Sequence, residues 1–306
     1  MKWTAKVRRA LSRPRRLWSE SYLRLRLTCP VVLPDSDQFR TISVAIPFYG
    51  NAKMGHLALF NILSDPRVRE IVVLDDGSSP DELGKLRDKL APFSKKVRLF
   101  RRERNWGPFA NKIQSVELCT SEWVILLDYD NTLTADYLDS LFKLERWEDD
   151  EIYCSAYAYP YFDFRKKLPG DFVDLETAST WLKERALIGP FLNDGNYFLP
   201  RERYLETVKP FWKYSVLAAD AMFSNYLWLS GGNKLTVLAD SWYVHRVHAN
   251  SAWAKQREHS RRNANIIKRR IRKGASPQSP CLRDDFAVLP DLCWEEPTSI
   301  SLERTR

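Results

Sequence analysis

Asp128-Tyr129-Asp130 follows directly on the apolar run Trp123 to Leu127, so two carboxylates one residue apart are delivered where a buried strand is expected to end. A strand apolar on both faces belongs to a sheet covered by helices, and in open α/β sheets ligands bind beyond the carboxyl ends of the strands. Neither acid is buried cheaply without a cation, a hydrogen-bond donor or water beside it. Closely spaced carboxylates of this kind suit hard divalent cations such as Mg²⁺ or Mn²⁺. An isolated D-x-D is most often a solvated turn, but this one has company.

Upstream, Glu70 to Leu74 is a second short apolar run, and it ends in Asp75-Asp76-Gly77-Ser78-Ser79. Gly77 permits a tight turn, and Asp76 or Ser79 is placed to cap a helix over Pro80 to Leu90. Earlier still, Thr41 to Pro47 reads as a first strand, broken at Pro47 and followed by Tyr49-Gly50-Asn51. Helical patterns over Leu57 to Leu63 and Ala110 to Leu118 lie between these runs, which is the β-α-β alternation of a largely parallel sheet. Ile152 to Phe164 is rich in Tyr and Phe and reads as strand or loop. Phe172 to Ala186 has helical spacing.

With 306 residues, 44% hydrophobic and 13% aromatic, the chain has ample material for a core. Its charge is unevenly spread. Residues 1–27 carry nine Lys/Arg and one acid, and residues 255–273 carry the same; removing these 18 bases and two acids from 48 and 39 leaves 30 against 37. The net +9 therefore belongs to two short segments. No base-reading module or zinc spacing accompanies them, so nucleic acid is not an expected partner. The first segment interleaves Trp3, Val7, Leu11, Trp18, Tyr22 and Leu25 with arginines, as an interfacial helix at an anionic membrane surface would, although Pro14 interrupts it. A solvated arm or a contact to another protein stays open for it.

No run approaches eighteen apolar residues, and Arg13, Arg15 and Arg16 stand where a signal peptide would be apolar. The five cysteines show no C-x-x-C spacing and read as reduced thiols of the cytosol without a metal or redox role. The expected location is cytoplasmic, peripheral on the cytosolic face of a membrane. Residues 1–38 read as a basic amphipathic extension with a linker, 39–255 as the folded unit, and 256–306 as a basic helix and flexible tail beyond the break at Gly274 to Pro280. For that tail, folding back and disorder both stay open.

Taken in order, Pro47-Phe48-Tyr49-Gly50, Asp75-Asp76-Gly77-Ser78, Asn105-Trp106-Gly107 with Ala110-Asn111, and Asp128-Tyr129-Asp130 resemble a family 2 glycosyltransferase. The resemblance covers about residues 41–255. It implies an α/β GT-A (Rossmann-like) fold with a mostly parallel central sheet flanked by helices, a nucleotide-sugar-binding half over 39–134 and an acceptor half over 135–255. It also implies an inverting transfer from a nucleotide diphosphate sugar, a UDP-sugar for preference, to a saccharide or lipid-linked hydroxyl. By the same resemblance Pro47, Tyr49, Asp75, Asp76, Asn111, Lys112, Asp128 and Arg246 line the donor. Asp128, Asp130 and His248 hold a divalent metal, Mn²⁺ or Mg²⁺, with Asp130 the more direct ligand. Asp194, Gly195 and Asn196 stand on the acceptor side. Asp220 is the general base, although Ala219 replaces the acid that commonly precedes it, and Ala110 stands where the family has an arginine. Lys112, Arg102 or Arg104 is left to supply that cation.

Two other readings remain. Asp128-Tyr129-Asp130-Asn131-Thr132-Leu133 also matches the D-x-D-x-T-L opening of haloacid-dehalogenase-type phosphatases, with Asp128 as nucleophile and Asp130 as acid/base. The other is a GT-A-like protein that binds nucleotide sugar without turnover.

Overall fold

The computed structural model describes residues 40–165, 172–184, 188–216, 219–248, 251, 255–279, 281–289 and 300–303. The basic N-terminal extension expected over 1–38 lies outside the described residues. The first four strands, β1 (Ile42–Phe48), β2 (Val68–Asp75), β3 (Val97–Arg102) and β4 (Trp123–Leu126), are parallel and stand in the order β3-β2-β1-β4. β1, β2 and β4 are apolar on both faces because each is covered twice, whereas β3 carries Arg98, Arg101 and Arg102. Val44 and Ile46 of β1 join one core and Ala45 the other; in β2, Ile71 and Val73 divide from Val72 and Leu74 in the same way.

Helix α1 (Pro80–Leu90) connects β2 to β3, and α2 (Pro108–Glu117) connects β3 to β4. Ser79 caps α1, its hydroxyl accepting from the Glu82 N–H, and Pro80 opens it. The helix expected over Leu57 to Leu63 is reduced to one 3₁₀ turn, Leu57–Leu59, because Asn61 adopts φ +65° and donates its side-chain amide to Leu133 O. Pro47 does not break β1. Ala45 O accepts from Leu127, which puts odd-numbered residues of β1 toward β4; β4 pairs only as far as Ala45, so no N–H is required of Pro47.

Beyond β4 the sheet becomes mixed. The order runs β4, β9 (Tyr197–Pro200), β6 (Glu151–Tyr159), β11 (Lys234–Val244) and β5 (Thr132–Leu133), with β6 and β11 parallel and the other pairings antiparallel. Short strands β7 (Phe162–Asp163) and β8 (Phe172–Val173) pair with β6 and β11. The helix expected from Phe172 therefore begins later, as α4 (Leu175–Glu184), because Phe172 and Val173 are taken up by the sheet.

One face of the sheet is covered by α1 and α3 (Ala135–Phe142). The other carries α2, α4, α5 (Ile188–Leu192), α6 (Arg201–Val208) and α7 (Asp220–Ser230). Helix α8 (Arg257–Lys273) is on that second face as well, with Ile267 and Ile271 buried in the core while Arg257, Arg261, Arg262, Arg269, Arg272 and Lys273 are exposed. The basic segment is thus one side of a helix whose other side is core. The tail folds back: after α9 (Cys281–Asp285), β12 (Ala287–Val288) pairs with β10 (Tyr214–Ser215), and β13 (Ile300–Glu303) adds an antiparallel edge to β3.

Candidate active site

The tips of β1, β2 and β4, the start of α2 and the start of α7 meet at one end of the sheet. Asp75 ends β2 fully buried; it accepts the Ser78 hydroxyl and N–H, and that hydroxyl accepts the Gly50 N–H at 2.8 Å. Asp76 accepts from the Trp106 N–H at 3.0 Å and the Gly107 N–H at 2.9 Å, and pairs with Arg102 at 3.1 Å. Burial pushes the Asp76 carboxyl up and the Arg102 guanidinium down to about 10, so desolvation works against both, and their pairing with the two amides keeps the charges in place. Both carboxylates therefore fasten loops onto each other instead of standing open to a ligand. Arg102 also donates to Gln114 and Ala110 O and lies over the Trp106 ring, which commits it to the scaffold.

Gly77 makes this loop closure possible. Its φ is +72°, and a Cβ there would stand 2.6 Å from the Arg104 carbonyl carbon and 2.8 Å from the Asn105 nitrogen. Asn111, buried, donates to Phe48 O and Leu74 O and so ties α2 to the tips of β1 and β2. Pro47 is buried beside it, while Tyr49 is 53% exposed at the rim.

Past β4, Asn131 donates its N–H to Asp128 O, and this turn sends the two acids of the D-x-D apart. Asp130 Oδ2 meets His248 Nε2 at 2.9 Å. Asp128 meets Lys112 Nζ at 3.0 Å, and the same ammonium meets Asp220 Oδ2 at 2.8 Å. Burial would lower the Lys112 pKa, but the two carboxylates raise it; burial would raise the Asp128 pKa, but Lys112 lowers it. Lys112 and Asp128 are therefore both charged at neutral pH. Asp220 is the first residue of α7 and only 8% exposed. Gly195 lies against this triad, where a Cβ would come within 2.8 Å of Lys112 Nζ.

Asn196 binds the pieces together. Its oxygen accepts from the Asp128 N–H at 2.9 Å and from Asn131, and its amide donates to Asp128 Oδ2 at 3.2 Å and to Asp194. Asp194 also accepts the Tyr243 hydroxyl at 3.0 Å, and burial raises its pKa. Tyr243 in turn stands 3.3 Å from His245 Nδ1. Arg246 donates to Asp130 O at 2.9 Å and Thr132 Oγ1 at 2.8 Å, and its N–H to Asn131. Tyr243 and Asn131 were not singled out from sequence. The period-2 spacing of Tyr243 from His245 was the available signal for the first; Asn131 carried none beyond adjacency to Asp130.

Asp130 Oδ2 and His248 Nε2, in contact at 2.9 Å, are an oxygen and a nitrogen donor of the kind that would suit a divalent ion. Among the described residues no group of three or more His, Cys, Asp or Glu converges. Asp130 and His248 are the pair that would hold such an ion, whose remaining positions phosphate and water would fill.

Residues 43–205 match the profile described as Glycosyl transferase family 2. Over 202 residues the chain is 25% identical to the uncharacterized glycosyltransferase MG060 homolog of Mycoplasma pneumoniae, covering 63% of each protein. The chain thus spans less than two thirds of that relative. Among solved structures it resembles S. aureus TarS 1-349 (TM-score 0.52, 16% identity, 76% of this chain and 70% of that one). It also resembles the mannosyltransferase PcManGT from Pyrobaculum calidifontis (0.53, 18%, 84% and 72%) and GalNAc-T7 (0.54, 16%, 76% and 48%). These likenesses are of fold, and the fold is the GT-A arrangement. With more than half its length matching one profile, the chain belongs to glycosyl transferase family 2.

Proposed function

We propose that the protein is an inverting glycosyltransferase that moves one sugar from a nucleotide diphosphate donor, a UDP-sugar, to a hydroxyl of a saccharide or lipid-linked acceptor in cell-surface glycan synthesis. It would work at the cytosolic face of an anionic membrane. One observation carries the catalytic reading: Asp128 of the donor half and Asp220 of the acceptor half touch the same ammonium, so the D-x-D and the proposed base are one side chain apart. Neighbours of this fold were solved with UDP-GlcNAc and with GDP-Man and Mn²⁺, which supports the donor class. Family membership sets the phosphatase reading aside.

In this mechanism Asp220 takes the proton of the acceptor hydroxyl, the freed oxygen bonds to the anomeric carbon, and the bond from that carbon to the diphosphate breaks. A single displacement inverts the centre. Asp130 and His248 would hold a divalent cation, which when bound would supply positive charge to the leaving diphosphate. Arg246 and Asn131 hold the Asp130 loop, and the Asp194–Asn196–Tyr243 network holds Asp128 from behind. Exposed arginines along α8 supply the membrane-facing charge in this reading.

Melting curves with UDP and GDP, with and without Mn²⁺, test the proposal. A nucleotide at 100 times its Kd adds about 2.7 kcal/mol of stability, and Asp130→Asn is expected to abolish the metal-dependent part. No metal-dependent response to either nucleotide would count decisively against the donor site. Binding without donor consumption would instead favour the protein that binds without turnover.

A further inference from the structure

We infer that Lys112 is a positioning residue, whose buried ammonium bridges Asp128 and Asp220 and so fixes where the base carboxylate stands, instead of binding the nucleotide. The inference rests on the transferase reading above and deepens it. Lys112 projects from the buried side of α2, and its side chain is 8% exposed. Its two partners come from elements far apart in sequence, the end of β4 and the start of α7. Asp220 Oδ2 is buried, and the Lys112 ammonium at 2.8 Å is the partner that holds it.

The seat of the ammonium is built by its neighbours. A Cβ at position 195 would lie 2.8 Å from Lys112 Nζ and 3.0 Å from Ala221 Cβ, so a side chain there would push the ammonium off its present seat. An ammonium flanked by two carboxylates and closed in by this backbone presents little charge to a diphosphate. Without it, two carboxylates would face each other across a partly buried gap and repel. Asp220 would then swing away from the acceptor hydroxyl, and the loss would fall on the chemical step.

The test separates kcat from donor binding. For Lys112→Gln, kcat for sugar transfer is expected to fall about 100-fold or more, while the Kd for UDP with Mn²⁺, measured by calorimetry, stays within about threefold of wild type. Gly195→Ala keeps the ammonium and crowds its seat. It is expected to lower kcat in the same way, and it serves as the reporter if Lys112→Gln does not fold. A Kd that weakens in proportion with kcat unchanged would assign Lys112 to the nucleotide and overturn the inference, as would a kcat within threefold of wild type in both variants. If the wild type turns over no donor, the transferase reading fails, and the bridge is then read from melting temperatures of Lys112→Gln, Asp220→Asn and the double variant. Shifts that add would overturn the bridge; a double variant more stable than the sum of the singles supports it.

Discussion

Gly77→Ala should be the most disruptive small substitution near the site, for two separable reasons. At φ +72° an alanine incurs the left-handed backbone penalty of about 1–2 kcal/mol. Its Cβ would also stand 2.6 Å from the Arg104 carbonyl carbon and 2.8 Å from Arg104 Cα and the Asn105 nitrogen. These are backbone atoms, which cannot rotate aside, so forcing the contact adds about 1–3 kcal/mol. The combined loss is about 2–5 kcal/mol, or roughly 4–10 °C in Tm for a chain of this size. The loop that must yield is the one whose Trp106 and Gly107 amides satisfy Asp76, so the donor side should loosen as well. Gly232→Ala isolates the first reason: its φ is +80°, but nothing lies within 4 Å of the added Cβ, and only about 1–2 kcal/mol is expected. Thermal unfolding of both variants by circular dichroism, with UDP titration of each, gives the comparison. Equal melting temperatures for the two would refute the steric argument.

Two further predictions concern other parts of the molecule. Burial would raise the Glu70 pKa, but the Thr120 amide, Arg98 and the Thr120 and Ser43 hydroxyls lower it below its ordinary 4.5; the folded chain thus binds fewer protons, and this stability is present above about pH 4.5 and lost as pH falls through the folded value. Glu70→Gln should therefore flatten the acid limb of Tm against pH, and an unchanged limb would show that other carboxylates dominate it. Reversing two exposed charges on α8, Arg261→Glu with Arg269→Glu, should weaken flotation with anionic vesicles roughly 10²- to 10³-fold at about 1 kcal/mol per unit charge, leaving UDP binding intact; undiminished flotation would move the membrane contact off this helix.

Three of the four parallel strands, β1, β2 and β4, were legible because they are short and apolar on both faces, whereas β3, Val97–Arg102, was not read because three of its six residues are arginines. Ser79 and Pro80 announce α1, and the structure starts that helix at Pro80. What failed to show in sequence was tertiary. Nothing local tells that β4 stops pairing at Ala45 and so lets Pro47 lie inside β1, or that the sheet recruits Phe172 and Val173 away from a helical pattern. The basic stretch from 255 to 273 reads as a polar appendage because its charges outnumber its apolar residues. Its burial rests on Ile267 and Ile271, two residues at i, i+4, which suffice once α4 and α7 provide the facing surface.

The acids of the D-x-D show the same limit most sharply. From sequence, two carboxylates one residue apart look like one grip on one cation. The turn closed by the Asn131 N–H on Asp128 O divides them: Tyr129 packs its ring edge-on against Phe48 at 5.1 Å, Asp130 goes to His248, and Asp128 goes to Lys112 and Asn196. That division depends on partners at 112, 196 and 248, spread over more than a hundred residues, and no local pattern encodes it. It gives each acid a different task. Asp130 stands against His248, and in the proposed reaction this is the pair that an ion and a diphosphate would meet. Asp128, whose side chain is the more open of the two at 32% against 14%, shares the Lys112 ammonium with Asp220, so in the proposed reaction it acts on the base through that cation instead of gripping the ion.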